Sequence, residues 1–293
     1  MGILLNEDTR AIVQGMTGRI GSVQAKWMLE YGTKIVAGVT PGKGGEVVHD
    51  LPVYDDVYAA VEEHGANASV IFVPAAVIRD AVLEAIDAGL KLVVAISEHV
   101  PVHDVLKMKA SARANEVWLL GPNTPGIITP GVGKLGIMPA NMFQPGRIGI
   151  ISRSGTLSYE VAGLLNDIGL GQSTLAGVGG DPVVGTRMLG LLKKFETDPG
   201  TDAVVIVGEI GGSSEEEAAA YVKEMSKPVI AYIAGRTAPS GRRMGHAGAI
   251  ISADGSQGTV ESKEKALREG GALLAEKPSE IPGLVKGALQ AKT

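Results

Sequence analysis

Residues 10–21 read RAIVQGMTGRIG, a short apolar run that stops at Gly15, turns through Gly18 and Gly21 at G-x-x-G-x-x-G spacing, and leads into SVQAKWMLEYG. A strand, a glycine turn and a helical stretch in that order open a βαβ unit. Such a turn lets backbone N–H groups and a helix N-terminus face a phosphate. The spacing alone does not separate a nucleotide-like ligand from a merely tight turn.

Outward from that stretch the alternation continues. TKIVAGVTPG (33–42), ASVIFVP (68–74), KLVVAIS (91–97) and VWLLGPN (117–123) are strand signals, and AVIRDAVLEAIDAG (76–89) and VHDVLKMKASARANE (102–116) are helical. Between 121 and 146 the pattern breaks at Pro122, Pro125, Pro130, Pro139 and Pro145, none of which suits a helix interior or a central strand. The alternation resumes with RIGIIS (147–152), TLSYEVAGLLNDIG (156–169), QSTLAGVGG (172–180), VVGTRMLGLLKKFETD (183–198), DAVVIVGEIGG (202–212), SEEEAAAYVKEMS (214–226) and PVIAYIAG (228–235). Two further helices are expected around 259–271 and 280–291, with ALLAE (272–276) a short edge strand between them.

The expected class is α/β with two domains: a Rossmann-like domain over 1–122, a Pro/Gly-rich connecting segment over 123–146, and a second doubly wound, flavodoxin-like parallel sheet over 147–293. The 293 residues are 45% hydrophobic but only 4% aromatic, which fits interiors of Val, Ile, Leu and Ala. A net charge of −5 without a basic run argues against nucleic acid. The absence of cysteine excludes disulfides, Cys-ligated zinc and a thiol nucleophile. That absence fits a reducing compartment, so the expected location is the cytoplasm; no membrane span, signal peptide or myristoylation signal is read.

In sheets of this kind ligands sit beyond the carboxyl ends of the strands. At the second strand end, where an NAD enzyme wants an acidic residue for the ribose, the chain has Thr40 and Lys43. A cation there suits an extra phosphate, the 2′-phosphate of NADP or the 3′-phosphate of coenzyme A. Val73, Pro74, Ile96, Glu98 and Asn123 stand at the neighbouring strand ends, where they could flank an adenine or a pantetheine arm.

In the second half every strand ends in small residues: SRSGT, GVGGDP, GEIGGS and AGRTAP. Ser154 is a candidate N-cap, with the N–H groups of Gly155 and Thr156 behind it to bind an anion. GRRMGHAGAI (241–250) then lays His246 across the same rim with glycine close on both sides. Glycines give an aromatic ring no packing partner, whereas His49, His64, His99 and His103 read as ordinary side chains. No second His or Cys lies at metal-ligand spacing, so no metal is expected. Glu209, at the end of DAVVIVGE, would occupy a neighbouring strand tip. A carboxylate holding one ring N–H leaves the other nitrogen a nucleophile, suited to a transient phosphohistidine.

VAGVTPGKGG, ISRSGTLSYE, GGDP, GEIGGSSEEEAAAY and GRRMGHAGAI, in this order along the chain, are together similar to the α subunits of the succinyl-CoA synthetase (succinate–CoA ligase) family. The resemblance implies that Thr17, Gly18, Arg19 and Ile20 contact CoA, with Lys43 and Ile96, Ser97 and Glu98 completing the site. It implies His246 as the phosphorylated residue and Glu209 as its orienting partner. Tyr159 would serve the substrate site, and Ser154, Gly155 and Thr156 would head the helix aimed at phosphate, with Gly180 and Asp181 of GGDP on the same rim. The implied reaction couples succinyl-CoA, phosphate and a nucleoside diphosphate to succinate, CoA and the triphosphate. The implied partner is a β subunit with an ATP-grasp domain, in an αβ or α2β2 assembly, holding ATP/ADP or GTP/GDP with Mg. The sequence agrees in one respect: it has no G-x-x-x-x-G-K-[ST] loop of its own. Thr124 and Asn141 depart from the Cys and His that many relatives carry. Rival readings are a ligase for malate, citrate or acetate, an NADP-dependent reductase, and a non-catalytic CoA-sensing module.

Overall fold

The computed structural model describes residues 2–239, 241–242, 244–252 and 258–291. The chain divides into two compact units, one of Leu4–Met138 with Val183–Thr186, the other of Met1–Ile3, Pro139–Pro182 and Arg187–Thr293.

The first unit runs β1 (Ala11–Gln14), α1 (Arg19–Glu30), β2 (Ile35–Val39), β3 (Val47–Val48), β4 (Leu51–Tyr54), α2 (Val57–His64), β5 (Ala68–Ile71), α3 (Ile78–Asp87), β6 (Leu92–Ala95), α4 (Val102–Ala114) and β7 (Trp118–Leu120), then a hairpin of β8 (Gly126–Thr129) and β9 (Gly133–Gly136). Its main sheet is ordered β3-β4-β2-β1-β5-β6-β7. From β4 to β7 every neighbour is parallel, and only β3 pairs antiparallel. Among the parallel strands that is the Rossmann order, which reverses between β1 and β5. β1, β5 and β6 are buried along their whole length, as expected of parallel strands covered on both faces. The covering helices are amphipathic: α3 turns Ile78, Val82, Ala85 and Ile86 inward, at i, i+4, i+7 and i+8.

Register puts the strand ends level. Gln14 of β1 aligns with Val39 of β2 and with Ile71 of β5. The glycine turn, Thr40 and Phe72 therefore all leave the sheet at one height.

The second unit runs through a 3-10 turn (Ala140–Met142), β10 (Pro145–Ser152), α5 (Gly155–Asn166), β11 (Gln172–Gly177), α6 (Met188–Thr197), β12 (Ala203–Glu209), α7 (Ser214–Val222), β13 (Val229–Ala234), α8 (Val260–Glu269), β14 (Leu273–Ala275), a second 3-10 turn (Pro278–Glu280) and α9 (Ile281–Gln290). Its five strands are parallel in the order β14-β13-β12-β10-β11. This is the flavodoxin-like order, reversing between β10 and β12. Ser152 of β10 aligns with Val207 of β12, and Glu209 of β12 with Ala234 of β13.

The Pro/Gly-rich stretch 123–146 has elements of its own. It holds β8 and β9 in the first unit, then a 3-10 turn and the start of β10 in the second. Lys134 of β9 is buried and donates to Met138 O at 2.8 Å, and burial holds its pKa below the usual lysine value.

Candidate functional site

Each sheet brings a set of side chains to its carboxyl end. In the first unit the chain leaves β1 through Gly15, whose φ of +82° lies in the left-handed region that glycine tolerates. Gly15 N donates to Val39 O at 2.8 Å and Gly18 N donates to Gly15 O at 3.1 Å, which closes the turn. Gly21 needs its missing side chain, because a Cβ there would lie 2.1 Å from Gly15 O. Bare backbone thus lets α1 start against the turn. Gly18 caps α1 without a side-chain hydrogen bond, so the N–H groups of the first turn have no capping side chain in front of them. Thr17 is half-buried, while Gly18, Arg19 and Ile20 are exposed there.

Across the strand reversal stand Val73, half-buried, and Pro74, exposed. Ser97 Oγ donates to Val73 O, and Asn123 N donates to Ser97 O at 3.0 Å, so the ends of β5, β6 and β7 are tied together. Ile96 and Ser97 are half-buried and Glu98 is exposed. Lys43 lies on the exposed turn after β2, paired with Glu46 at 2.8 Å; that hydrogen bond raises its pKa. Thr40 Oγ1, at the tip of β2, is buried without a hydrogen-bond partner among the described residues. A buried hydroxyl with no partner at a strand end suits a polar ligand group. The turn, the open helix end and Lys43 together suit a phosphorylated ligand.

In the second unit, β10 ends at Ser152 and Ser154 caps α5, its Oγ accepting from Leu157 N at 3.3 Å. The first N–H groups of α5, from Gly155 and Thr156, therefore open onto the strand reversal. One turn into the helix, Tyr159 packs edge-on to Phe143 with ring centroids 6.0 Å apart, and burial raises its pKa.

Glu209 is the last residue of β12 and is 7% exposed. Its Oε2 lies 2.7 Å from His246 Nδ1 and its Oε1 lies 3.1 Å from Arg153 Nη2. The His246 side chain is 31% exposed, so one side of the ring is open to a reactant. The pKa of His246 is raised: its hydrogen bond to Glu209 is the main cause, burial opposes it, and the charges of Glu209 and Asp181 outweigh that of Arg153. With Nδ1 facing a carboxylate, the ring N–H sits on Nδ1 and the lone pair on Nε2.

Gly180 packs flat on that ring, and a Cβ there would lie 2.4 Å from His246 Cγ. Gly248 N donates to Gly180 O at 2.9 Å, tying the histidine loop to the segment after β11. Asp181, next to it, is buried. His49 faces Ser22 O in the first turns of α1 at 2.8 Å, and His64 faces Tyr54 Oη at 2.7 Å. Arg243 and 253–257, within the stretch that carries the resemblance, lie outside the described residues.

The sequence reading did not single out Arg153, Glu215 or Lys263. Arg153 is buried beside Glu209. Glu215 shares the buried face of α7 with Ala218, Ala219 and Val222, and Lys263 that of α8 with Val260 and Leu267. A charged residue on an apolar helical stripe was the available signal.

The family described as CoA binding domain matches residues 6–99, and the family described as CoA-ligase matches residues 151–273. The succinate–CoA ligase [ADP-forming] subunit alpha of Methanothermobacter thermautotrophicus is 56% identical over 98% of this chain and 97% of its own. That of Aquifex aeolicus is 55% identical over 96% of this chain and 92% of its own. Among solved structures, ATP citrate lyase of Methanosaeta concilii in complex with (3S)-citryl-CoA superposes with a TM-score of 0.88 at 24% identity, covering 99% of this chain and 51% of that one. The dinucleotide-forming acetyl-coenzyme A synthetase 1 of Ca. Korarchaeum cryptofilum, in complex with phosphate and ADP, gives 0.73 at 23%, covering 99% and 61%. This chain spans about half to three fifths of the length of those two structures, and the likeness to them is one of fold.

Proposed function

The chain belongs to the family of succinate–CoA ligase alpha subunits, and from that membership we propose that it supplies the CoA site and the phosphoryl-carrying histidine of an ADP-forming acid–CoA ligase. The observation that carries the reading is the 2.7 Å contact of His246 Nδ1 with Glu209 Oε2, which leaves Nε2 as the nucleophile. The glycine turn, Thr17, Gly18, Arg19 and Ile20, Lys43 and the groups at 73–74, 96–98 and 123 form the CoA side. Thr40 Oγ1, buried without a partner, supports a ligand at that rim.

Phosphate displaces CoA from succinyl-CoA, giving succinyl phosphate and free CoA. The Nε2 lone pair attacks phosphorus, the bond from phosphorus to the acyl oxygen breaks, and succinate leaves. The ring then carries the phosphoryl group on Nε2 with its proton still on Nδ1, where the Glu209 carboxylate stabilises the added positive charge. The N-terminus of α5, with Ser154, Gly155 and Thr156, is suited to hold the transferring group. Tyr159, Gly180 and Asp181 complete that rim. A terminal oxygen of the nucleoside diphosphate finally attacks phosphorus and regenerates Nε2. Relatives named ADP-forming support ADP as acceptor. The nucleotide and its Mg belong on a partner β subunit with an ATP-grasp domain, a reading supported by the absence of a P-loop sequence here.

The test uses the complex purified with its partner chain. ATP, CoA and succinate should give succinyl-CoA faster than malate, citrate or acetate give their thioesters. Label from the γ-phosphate should appear on His246 in an acid-labile, alkali-stable form. His246→Asn should abolish turnover and leave CoA affinity within about threefold, since the imidazole lies in a different unit from the glycine turn. Full turnover by that variant, or tight NADPH binding without CoA binding, overturns the reading.

A further inference from the structure

Behind the His246–Glu209 pair lies a buried group of charges that phosphoryl transfer does not by itself require. Lys263 of α8 and Glu215 of α7 are fully buried and paired with each other. Such a pair is poorly explained by stability, because apolar residues of similar volume often do as well or better. What the pair touches is more informative. Glu215 Oε1 accepts from Glu209 N at 3.2 Å and lies 3.4 Å from Arg153 Nη1. Arg153 Nη1 donates to Gly211 O at 2.8 Å, and Lys263 Nζ donates to that same carbonyl at 2.9 Å. The other arm of the guanidinium, Nη2, is the one 3.1 Å from Glu209 Oε1. The end of β12 is therefore held through the Glu209 main chain by Glu215, and its carboxylate meets Arg153 as an ion pair, with Oε1 buried and without a hydrogen-bond partner among the described residues. Lys263 pairs with the Glu215 carboxylate there.

We propose that Lys263 and Glu215 are positioning residues that set the Arg153 fork, through it the Glu209 carboxylate, and so the aim and basicity of the His246 imidazole. The consequence for turnover rests on His246 being the phosphoryl carrier; the consequence for the imidazole does not. Among the described residues, the charged groups that act on His246 are Glu209, Arg153 and Asp181. Glu215 faces Arg153 and Lys263, and Lys263 faces Glu215 and, at 3.5 Å, Glu216. Removing the lysine leaves the group with excess negative charge. Removing the Glu215 carboxylate leaves it less negative than in the wild type.

The two substitutions should therefore move His246 in opposite directions. In the assembled enzyme, Lys263→Met should raise the His246 titration midpoint, read by nitrogen-resolved NMR of the imidazole, by about 0.5 pH unit or more, and Glu215→Gln should lower it by a similar amount. The acid limb of kcat should follow each shift, while KM for CoA stays within about twofold. Equal midpoints in wild type and both variants, or lost turnover with an unmoved pH profile, would mean the pair only supports the fold and would overturn the proposal. Should the single variants fail to assemble, the charge-balanced Lys263→Met/Glu215→Gln double variant decides. Its kcat should fall about tenfold as the fork loses an anchor, and a wild-type kcat overturns the proposal. If the wild-type complex shows no ligase turnover, the phosphohistidine reading falls, and the NMR midpoints still decide the role of the pair.

Discussion

The raised pKa of His246 has a definite sign in both stability and catalysis. Its main cause is the hydrogen bond to Glu209, so the folded protein holds the proton more tightly than the unfolded chain does. The stabilisation is fully present below the unfolded value and is lost as pH rises through the folded one. Nε2 must be unprotonated to attack, so phosphorylation should increase with pH over that same window. Glu209→Gln should move the acid limb of kcat to lower pH and flatten the dependence of Tm on pH there. It should also cost about 10²-fold in kcat, because the amide no longer fixes the tautomer or stabilises the charged ring. A pH–rate profile beside a Tm series checks both. Gly180→Ala tests the packing: its Cβ would fall 2.4 Å from His246 Cγ, so the ring must rotate off Glu209. Label incorporation should slow at least about tenfold, while CoA binding in the other unit is untouched.

Among elements, α1 depends most directly on one atom that is missing. Gly21→Ala would drive a Cβ to 2.1 Å from Gly15 O, forcing α1 off the turn. We expect a loss of about 1–3 kcal/mol in stability by denaturant melts, with CoA affinity reduced in parallel by calorimetry. The strands around this turn were legible in the sequence because each is a short, mostly apolar run that stops at a small or turn-forming residue. The residues 43–67 were not read as structure, and there the chain forms β3, β4 and α2. Pro52 inside β4 argues against a strand on sequence grounds, and the turn between β3 and β4 uses His49 and Asp50 at positive φ instead of Asn-Gly. In the second unit the glycine-flanked His246 and the Glu209 strand tip were visible as motifs. Arg153, Glu215 and Lys263 were not, because a buried ion network spans three elements and only folding brings its members together.

At the scale of the whole chain, two sheets of different strand order each place chemistry at the carboxyl edge where that order reverses. In such sheets ligands are expected at the strand ends beside the reversal. The same division predicts separable behaviour. The isolated chain should bind CoA, measured calorimetrically, yet take up no label from ATP until the partner subunit is added. Labelling of the chain alone would place a nucleotide site within it. Among the described residues no helix is long and apolar enough to cross a membrane and no cluster of three metal-ligating side chains occurs.

The pairing of Glu209 with Ala234 makes β12 a ruler. Successive residues of a strand point to opposite faces, so deleting any one residue between Ala203 and Gly208 would slide Gly208's neighbour out of step and turn the carboxylate to the far side of the sheet. The histidine would then lose its partner although every residue of the rim remained present. Counting along this strand, more than its composition, decides whether the rim can do chemistry.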